Sequence, residues 1–462
     1  MNATFGRRAD APIAPPPQEG TEHGARIAVL NLNDTRRDPR VRRIGAAMQD
    51  LGHRVQVFEM RPDGLAERDE AAGLSIRRVP VATDCSKEAM AAIGRACPSA
   101  ADVIRGCDAA VLDRSGGSAL ARRVRWRERL RRLTNSVSKE GRAPAQDFDQ
   151  EIWAIRSILL INLHLFAAAK EFRPTLVYAN DLDTLLAAFM LKEALGIPIV
   201  YDAHEIYPEQ LAPHMRSEVW HRFYTNLEKR LIHEAVGRLT VCDSLGRYFA
   251  ETYGAAGFTT VRNVPSRRHL PDPSILRRRP ARRSILYQGS YFAYRGLDEI
   301  IDAAALIEAD IVFRGIGAYE TVLRRRAEKA GVGDRVRFEP PVAVTDLVAS
   351  ASACDIGLNP FVNVCKNTEY ALPNKFFEYM MAGLAVASSD LVEMRQLTGE
   401  LDVGVLFRDL EPRTIAGGLN ALVADDAALE RHRRNAYEAA RTTFNWETER
   451  ERFTAYFSQV AA

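Results

Sequence analysis

The 462-residue sequence predicts an α/β protein of two domains, each built on a doubly wound parallel sheet, facing each other across a cleft. Three observations carry that expectation. The chain is too long for one ordinary core and suits two domains of about 200 residues each. Short apolar runs alternate with helical stretches, the pattern of parallel strands joined by crossover helices. A stretch rich in proline and arginine, "VPSRRHLPDPSILRRRPARR", divides that alternation in two. The expected plan is a disordered tail at 1–24, a first domain at 25–264, a linker at 265–283 and a second domain at 284–440. A final helix at 441–462 is expected to pack back on the first domain. The tail is rich in proline, glycine and polar residues and has no apolar leader core.

In the first domain "RIAVLNL" reads as a buried parallel strand. A helix then starts near Pro39 and ends at "LGH", with Gly52 as its capping candidate. "RVQVFEM" and "LSIRRVPV" are the next strands. Residues 83–150 break the rhythm and read as a basic helical insertion. It contains "RRVRWRERLRR" at 122–132, seven arginines to one glutamate. That run is either a solvated helix face or, with Trp126, Leu130 and Leu133 as an apolar edge, a helix lying on an anionic membrane surface. "TLVYAND", a helix through 195, "IPIVYDAHE" and "RLTVCDS" restore the alternation. The second domain offers "SILYQGS", "DIVFRGIG", "RVRFEPP", "CDIGLNP", "LAVASSD" and "VGVLFRD" as strands, followed by helix from about 411 to 457.

Hydrophobic residues make up 47% and charged residues 27%, both in the globular range. The net charge of +3 gives no reason to expect a nucleic-acid partner. Six cysteines, at 85, 97, 107, 242, 354 and 365, form no metal-binding spacing and read as reduced thiols of a cytoplasmic protein. The most apolar segment, "SILLINLHLFAAA" at 157–169, is short for a bilayer span.

Ligands in open α/β sheets bind beyond the carboxyl ends of the strands. Those ends carry Asn33, Asp34, Asp181, Asp202, His204 and Glu205 in the first domain. In the second they carry Gly289, Ser290 and Arg295, together with the helix of "ALPNKFFEYMMAG". On a helical wheel Asn374, Lys375 and Glu378 share one narrow arc within an otherwise apolar surface. Pro373 fits a first helical position. Two readings remain open for that arc: a buried helix with a Lys375–Glu378 pair, or an anion bound at the helix start. In the second reading a diphosphate fits between Lys375 and Arg295, and Glu378 accepts hydrogen bonds from a ribose diol. His204 lies between acids in "YDAHE", as a functional group or as part of a helix-capping network. The "DLD" at 181–183 opens a helix and is not read as a metal site; no metal or other cofactor is expected.

"NDTRRDPRVRRIGAAMQDLGHRVQVF", "YDAHEIYPE", "YQGSYFAYRGLDEII" and "ALPNKFFEYMMAGLAVASSD" resemble the glycosyltransferase family 4 group. The resemblance covers about 26–457 apart from the insertion. It implies the GT-B fold of two Rossmann-like domains, and retaining transfer of a sugar from a UDP- or GDP-sugar held by the second domain. The acceptor, a glycan or lipid-linked molecule of polysaccharide or glycoconjugate synthesis, would sit on the first domain; the cysteines and the arginine run, not the resemblance, are what point to a cytoplasmic protein at the inner face of the membrane. Carried over by position, Glu378 is the last acid of the family's Glu-x(7)-Glu motif, on the ribose. Arg295 stands where the family has a phosphate-binding lysine, His204 faces the transferred sugar, and Pro341 and Val342 lie near the base. This sequence departs from the pattern at Tyr370, where the first acid of the motif is expected, and at Ser290, where the family often has an arginine. Two other functions fit the same residues: a nucleotide-sugar 2-epimerase of the same fold, and a catalytically weak nucleotide-sugar-binding scaffold protein. A dinucleotide oxidoreductase fits poorly, because no G-x-G-x-x-G follows the first strand.

Overall fold

The computed structural model describes residues 24–61, 64–81, 86–107, 148–212 and 217–461. The expected tail, apart from Gly24, lies outside the described residues, as do the arginine run at 122–132 and Cys85.

Eight strands form the first sheet: β1 (Arg26–Asn31), β2 (Arg54–Met60), β3 (Arg68–Ala71), β4 (Leu74–Val79), β5 (Leu176–Asn180), β6 (Ile199–Ala203), β7 (Gly237–Thr240) and β8 (Phe258–Thr260). Their order is β3-β4-β2-β1-β5-β6-β7-β8. All pair in parallel except β3, which runs antiparallel to β4. The sequence reading passed over β3, because "RDEA" has no apolar residue at its centre and lies largely exposed on the edge. Strand alternation explains how one run serves two cores. Ala28 and Leu30 face one side with Phe58 and Val177; Ile27 and Val29 face the other with Val41 and Ile44.

The second sheet contains β9 (Ser284–Ser290), β10 (Asp310–Ile316), β11 (Val336–Glu339), β12 (Ile356–Asn359), β13 (Ala385–Ser389) and β14 (Gly404–Phe407). It is wholly parallel, in the order β11-β10-β9-β12-β13-β14. Successive connections run to opposite sides of β9, so the crevice of this domain opens at the carboxyl end of that strand.

Two helices differ from expectation. The apolar segment at 157–169 belongs to a 25-residue helix, Phe148–Phe172. Its Ile152–Phe172 part has the length and composition to cross a membrane, yet it is 61% buried, with Ile155, Leu159 and Leu165 packed in the first domain's core. The first helix, Pro39–Asp50, is capped at its end by Leu51; Gly52 follows in the left-handed region at φ +84°. Its start is as expected, with Asp38 accepting hydrogen bonds from the Arg40 and Val41 amides. The last helix, Trp446–Ala461, buries Phe453 and Phe457 against the first domain's sheet beside Val41 and Ile44.

The two sheets meet through specific contacts. Glu393, buried in the second domain, accepts from the Ser244 amide at the start of a first-domain helix, at 2.8 Å. Asn367 accepts from the Ile206 amide at 3.0 Å and donates to Glu205 at 3.3 Å.

Candidate active site

A cavity of about 360 Å³ lies at the carboxyl ends of β9 and β10. Its floor is the sheet edge at Gln288, Gly289, Ser290, Arg314 and Gly315. Its walls are the loop at Pro341 and Val342 and the helix Asn374–Met381, through Asn374, Lys375 and Glu378. Backbone geometry makes the floor possible. Gly289 has φ +142°, and a Cβ on Gly315 would stand 1.8 Å from the Gly289 carbonyl oxygen. Any side chain at 315 would therefore force the two strands apart at the cavity.

The helix beside the cavity begins at Asn374, one residue later than expected. Pro373 is its cap residue, with extended backbone at φ −74°, ψ 143°. Phe376, Phe377, Tyr379, Met380 and Met381 are fully buried, and Gly383 turns the chain at φ +70°. The apolar wheel thus forms core, and its thin polar arc forms cavity wall.

Lys375 and Glu378 do not form the ion pair that one reading of the arc required. Among the described residues Lys375 has no ion-pair partner. Its Nζ lies 3.9 Å from the ring centre of Tyr287 and 5.5 Å from that of Phe361. The Arg295 guanidinium lies over the other part of this aromatic shelf, 4.9 Å from the Phe361 ring centre. Burial and the nearby Arg295 charge push the Lys375 ammonium down to about 7, with Glu378 opposing. A diphosphate would relieve both costs. Glu378 is shifted the other way: burial raises it, while Gln288, Lys375 and Arg43 counteract. Arg43 reaches this field from the first domain, where it holds Asn263 at 3.0 Å and the Val264 carbonyl at 2.6 Å. The sequence reading treated "DPRVRR" as a helix start and assigned Arg43 no role.

At the carboxyl ends of the first sheet the charges are paired. Asp202 is fully buried, which corrects its expected place in the cleft. It receives Arg40 through Nε at 2.7 Å and Nη2 at 2.6 Å, and the Tyr178 hydroxyl also donates to it. His204 lies between two acids, with Nδ1 3.0 Å from Asp181 and Nε2 3.0 Å from Asp202. The Nε2 approach is close but poorly aligned for a hydrogen bond. Burial alone would lower its pKa; Asp181 and Asp202 carry it up to about 10, so the ring is an imidazolium at neutral pH. Asp181 also accepts from the His204 amide at 2.9 Å and sits at φ +65°, a strained backbone for a non-glycine residue.

Glu205 turns toward the domain junction, bonded by Gln210 and Asn367. Burial and the Asp181 charge push its carboxyl up to about 7. Asn33 and Asp34 lie at the end of β1, with Asp34 held by Arg36 at 2.9 Å. Tyr370, expected among the donor-binding residues by its place in the motif, lies elsewhere. It is not part of the cavity wall; its ring packs 5.6 Å from that of Tyr248, against the first domain's core. Sequence reasoning also missed Gln288 and Arg314. Their signal was a polar residue near the end of an otherwise apolar strand, "LYQG" and "VFRG". Among the described residues no group of three or more histidine, cysteine or acidic side chains is arranged to hold a metal ion.

Two family models match this chain. One, described as Glycosyltransferase Family 4, covers residues 100–265; the other, Glycosyl transferases group 1, covers 282–425. The chain belongs to the glycosyltransferase family 4 group. This glycosyltransferase has the GT-B fold, two parallel-sheet domains, as do solved structures that match it over nearly their whole length. Sucrose-phosphate synthase from Thermosynechococcus elongatus is 13% identical, with a TM-score of 0.69 over 94% of this chain and 99% of that one. HepE from Anabaena, solved in complex with UDP and glucose, is 15% identical, with a TM-score of 0.61 over 94% and 100%. WaaG, a glycosyltransferase involved in lipopolysaccharide biosynthesis, is 14% identical, with a TM-score of 0.60 over 93% and 99%. At these identities the likeness is one of fold. No curated protein matched the glycosyltransferase in a sequence comparison.

Proposed function

We propose that this glycosyltransferase transfers a sugar, with retention of anomeric configuration, from a UDP-sugar bound in the second domain to a glycan or lipid-linked acceptor on the first. One observation carries the reading. Two cations, Lys375 and Arg295, share an aromatic shelf at a helix start beside the cavity, and Glu378 stands one turn further on. A nucleoside diphosphate supplies what each lacks: phosphate oxygens for the cations and helix amides, and a ribose diol for the carboxylate. The UDP complexes of HepE support uridine as the base, and the role of WaaG in lipopolysaccharide synthesis supports a glycoconjugate acceptor. An acceptor at the cytoplasmic membrane surface is part of this proposal and rests on the arginine run at 122–132.

The chemistry follows from charge. As the bond from sugar to diphosphate breaks, negative charge grows on the leaving oxygen. Lys375, Arg295 and the amides at Asn374 are fixed donors aimed at that region, so they favour the transition state over the ground state. The leaving phosphate can take the acceptor's proton on the same face, which gives retention without a protein nucleophile. His204, an imidazolium held by Asp181 and Asp202, supplies a fixed positive charge on the acceptor side. Metal is not expected to be required.

Thermal shift with UDP, GDP and ADP, on wild type and Glu378→Ala, tests the site. A nucleotide at about 100 times its Kd should add about 2.7 kcal/mol to wild type and much less to the variant. No stabilisation by any of the three would defeat the reading. The anomer formed from a UDP-sugar, read by NMR, tests retention.

A further inference from the structure

The parallel register places Gln288 on β9, Arg314 on β10 and Glu339 on β11 directly beside one another. Residues in one such row point to the same face of the sheet. Here that face is the cavity floor, and Gln288 and Arg314 are both buried in it. Arg314 gives Nε at 3.0 Å and Nη2 at 2.8 Å to one oxygen of Glu339. Its remaining nitrogen, Nη1, faces the Gln288 side-chain oxygen at 3.5 Å. A guanidinium only donates, so Gln288 must turn its oxygen to Arg314 and its NH₂ away. That NH₂ lies 3.4 Å from Glu378 Oε2. The Gln288 backbone N–H donates to the hydroxyl of Tyr379, the next residue of the helix, at 2.8 Å. Strand and helix are therefore pinned at two neighbouring points.

We infer that Gln288 is a positioning residue for ribose recognition: Arg314 and Glu339 fix the sense of its amide, and the amide aims Glu378 at the ribose hydroxyls. The inference rests on the donor-site reading above. Chemistry explains why a neutral amide suits the position. A carboxylate there would repel Glu378, and an ammonium would compete with the ribose for it. The amide passes the polarity of Arg314 to Glu378 without adding charge. The contacts at 3.4 and 3.5 Å are at the long end of hydrogen bonding. Such contacts tighten when a ligand carries the next partner in the chain.

The test is calorimetric titration of UDP and 2′-deoxy-UDP into wild type, Gln288→Met, Gln288→Glu and Glu378→Gln. Methionine keeps the volume and removes the amide. Glutamate keeps an acceptor for Arg314 and sets a like charge beside Glu378. Wild type should prefer UDP, and both Gln288 variants should lose more affinity for UDP than for 2′-deoxy-UDP, so that the preference falls by roughly tenfold. A merely structural role would weaken both nucleotides equally, and that result would overturn the inference. So would a preference that depends on Glu378 but survives in both Gln288 variants, which leaves the donor-site reading intact. If wild type binds neither nucleotide, or prefers UDP to the same degree with Glu378→Gln, the donor-site reading at Glu378 fails and the inference fails with it.

Discussion

The two domains handle charge at their strand ends in opposite ways. At the first domain's strand ends every central charge has a protein partner: Arg40 on Asp202, and His204 between Asp181 and Asp202. At the second domain's strand ends Lys375 and Arg295 lie on aromatic rings, and among the described residues neither is bonded to a carboxylate. A paired buried set is internally satisfied, so its loss is felt as lost stability. Partly buried cations without a carboxylate partner cost stability in the free protein and recover it when an anion arrives. On the proposed reading the first region frames the cleft, with His204 as its fixed positive charge, and the second receives the donor's phosphates. Like-looking strand-end charges need not share a job.

The sharpest way to break that contrast is to remove one partner on each side. Asp202→Asn leaves the Arg40 charge buried without compensation and should cost about 3–5 kcal/mol in urea unfolding. Loss of activity with unchanged stability would move Asp202 back into the chemistry. Lys375→Met should do the reverse. Transfer should slow by about 10²–10³, as for removal of one fixed donor from a transition-state charge. Stability should rise below about pH 7. There the native state must carry a buried ammonium whose native pKa, about 7, lies under its ordinary 10.5. Above pH 7 the native lysine has given up its proton while the unfolded one still binds it, so the gain should fade gradually between about pH 7 and 10.5. A destabilised variant with normal kcat would place Lys375 in the framework instead.

His204 gives a smaller test with the opposite sign. Its native pKa, about 10, lies above the ordinary 6.5. The ring's ionic contacts therefore stabilise the fold fully below about pH 6.5, and the contribution is lost as pH rises toward 10. The stability gap between wild type and His204→Gln, followed by thermal unfolding at a series of pH values, should close over that window. A constant gap would mean that packing, and not charge, holds the ring.

The architecture was legible because parallel strands buried on both faces leave continuous apolar runs, and "RIAVLN" and "ILYQG" are such runs. The cavity wall was legible for a local reason: Asn374, Lys375 and Glu378 lie within one helical turn and a residue of each other. What stayed hidden was lateral. Gln288, Arg314 and Glu339 meet through strand register, which nothing within any one strand specifies. Arg40 and Asp202 meet across 162 residues. In the sequence Asp202 and Asp181 are equivalent strand-end acids; the Arg40 pair marks Asp202 as the fully buried one, while Asp181 keeps a little exposure. Tyr370 shows the limit of motif position. It occupies the place of a family acid, yet its aromatic ring finds Tyr248 and turns from the cavity.

The finest test of the contrast is the proton count of binding. Lys375 should be partly neutral near pH 7, and a diphosphate beside it favours the ammonium. Binding should therefore take up protons above pH 7. UDP affinity should be level just below that pH and should fall above it, by at most about tenfold per unit for a single proton. Calorimetry in buffers of different ionisation enthalpy reads the uptake directly. The nucleotide's own phosphate titrates too, but near pH 6 and in the direction that strengthens binding as pH rises. Lys375→Arg separates the two effects, since a guanidinium stays charged throughout. The arginine variant should bind UDP with a flat profile from pH 7 to 9. If wild type is equally flat, the ammonium beside Tyr287 never loses its proton, and the charge stored there is not held against burial in the way that sets the two domains apart.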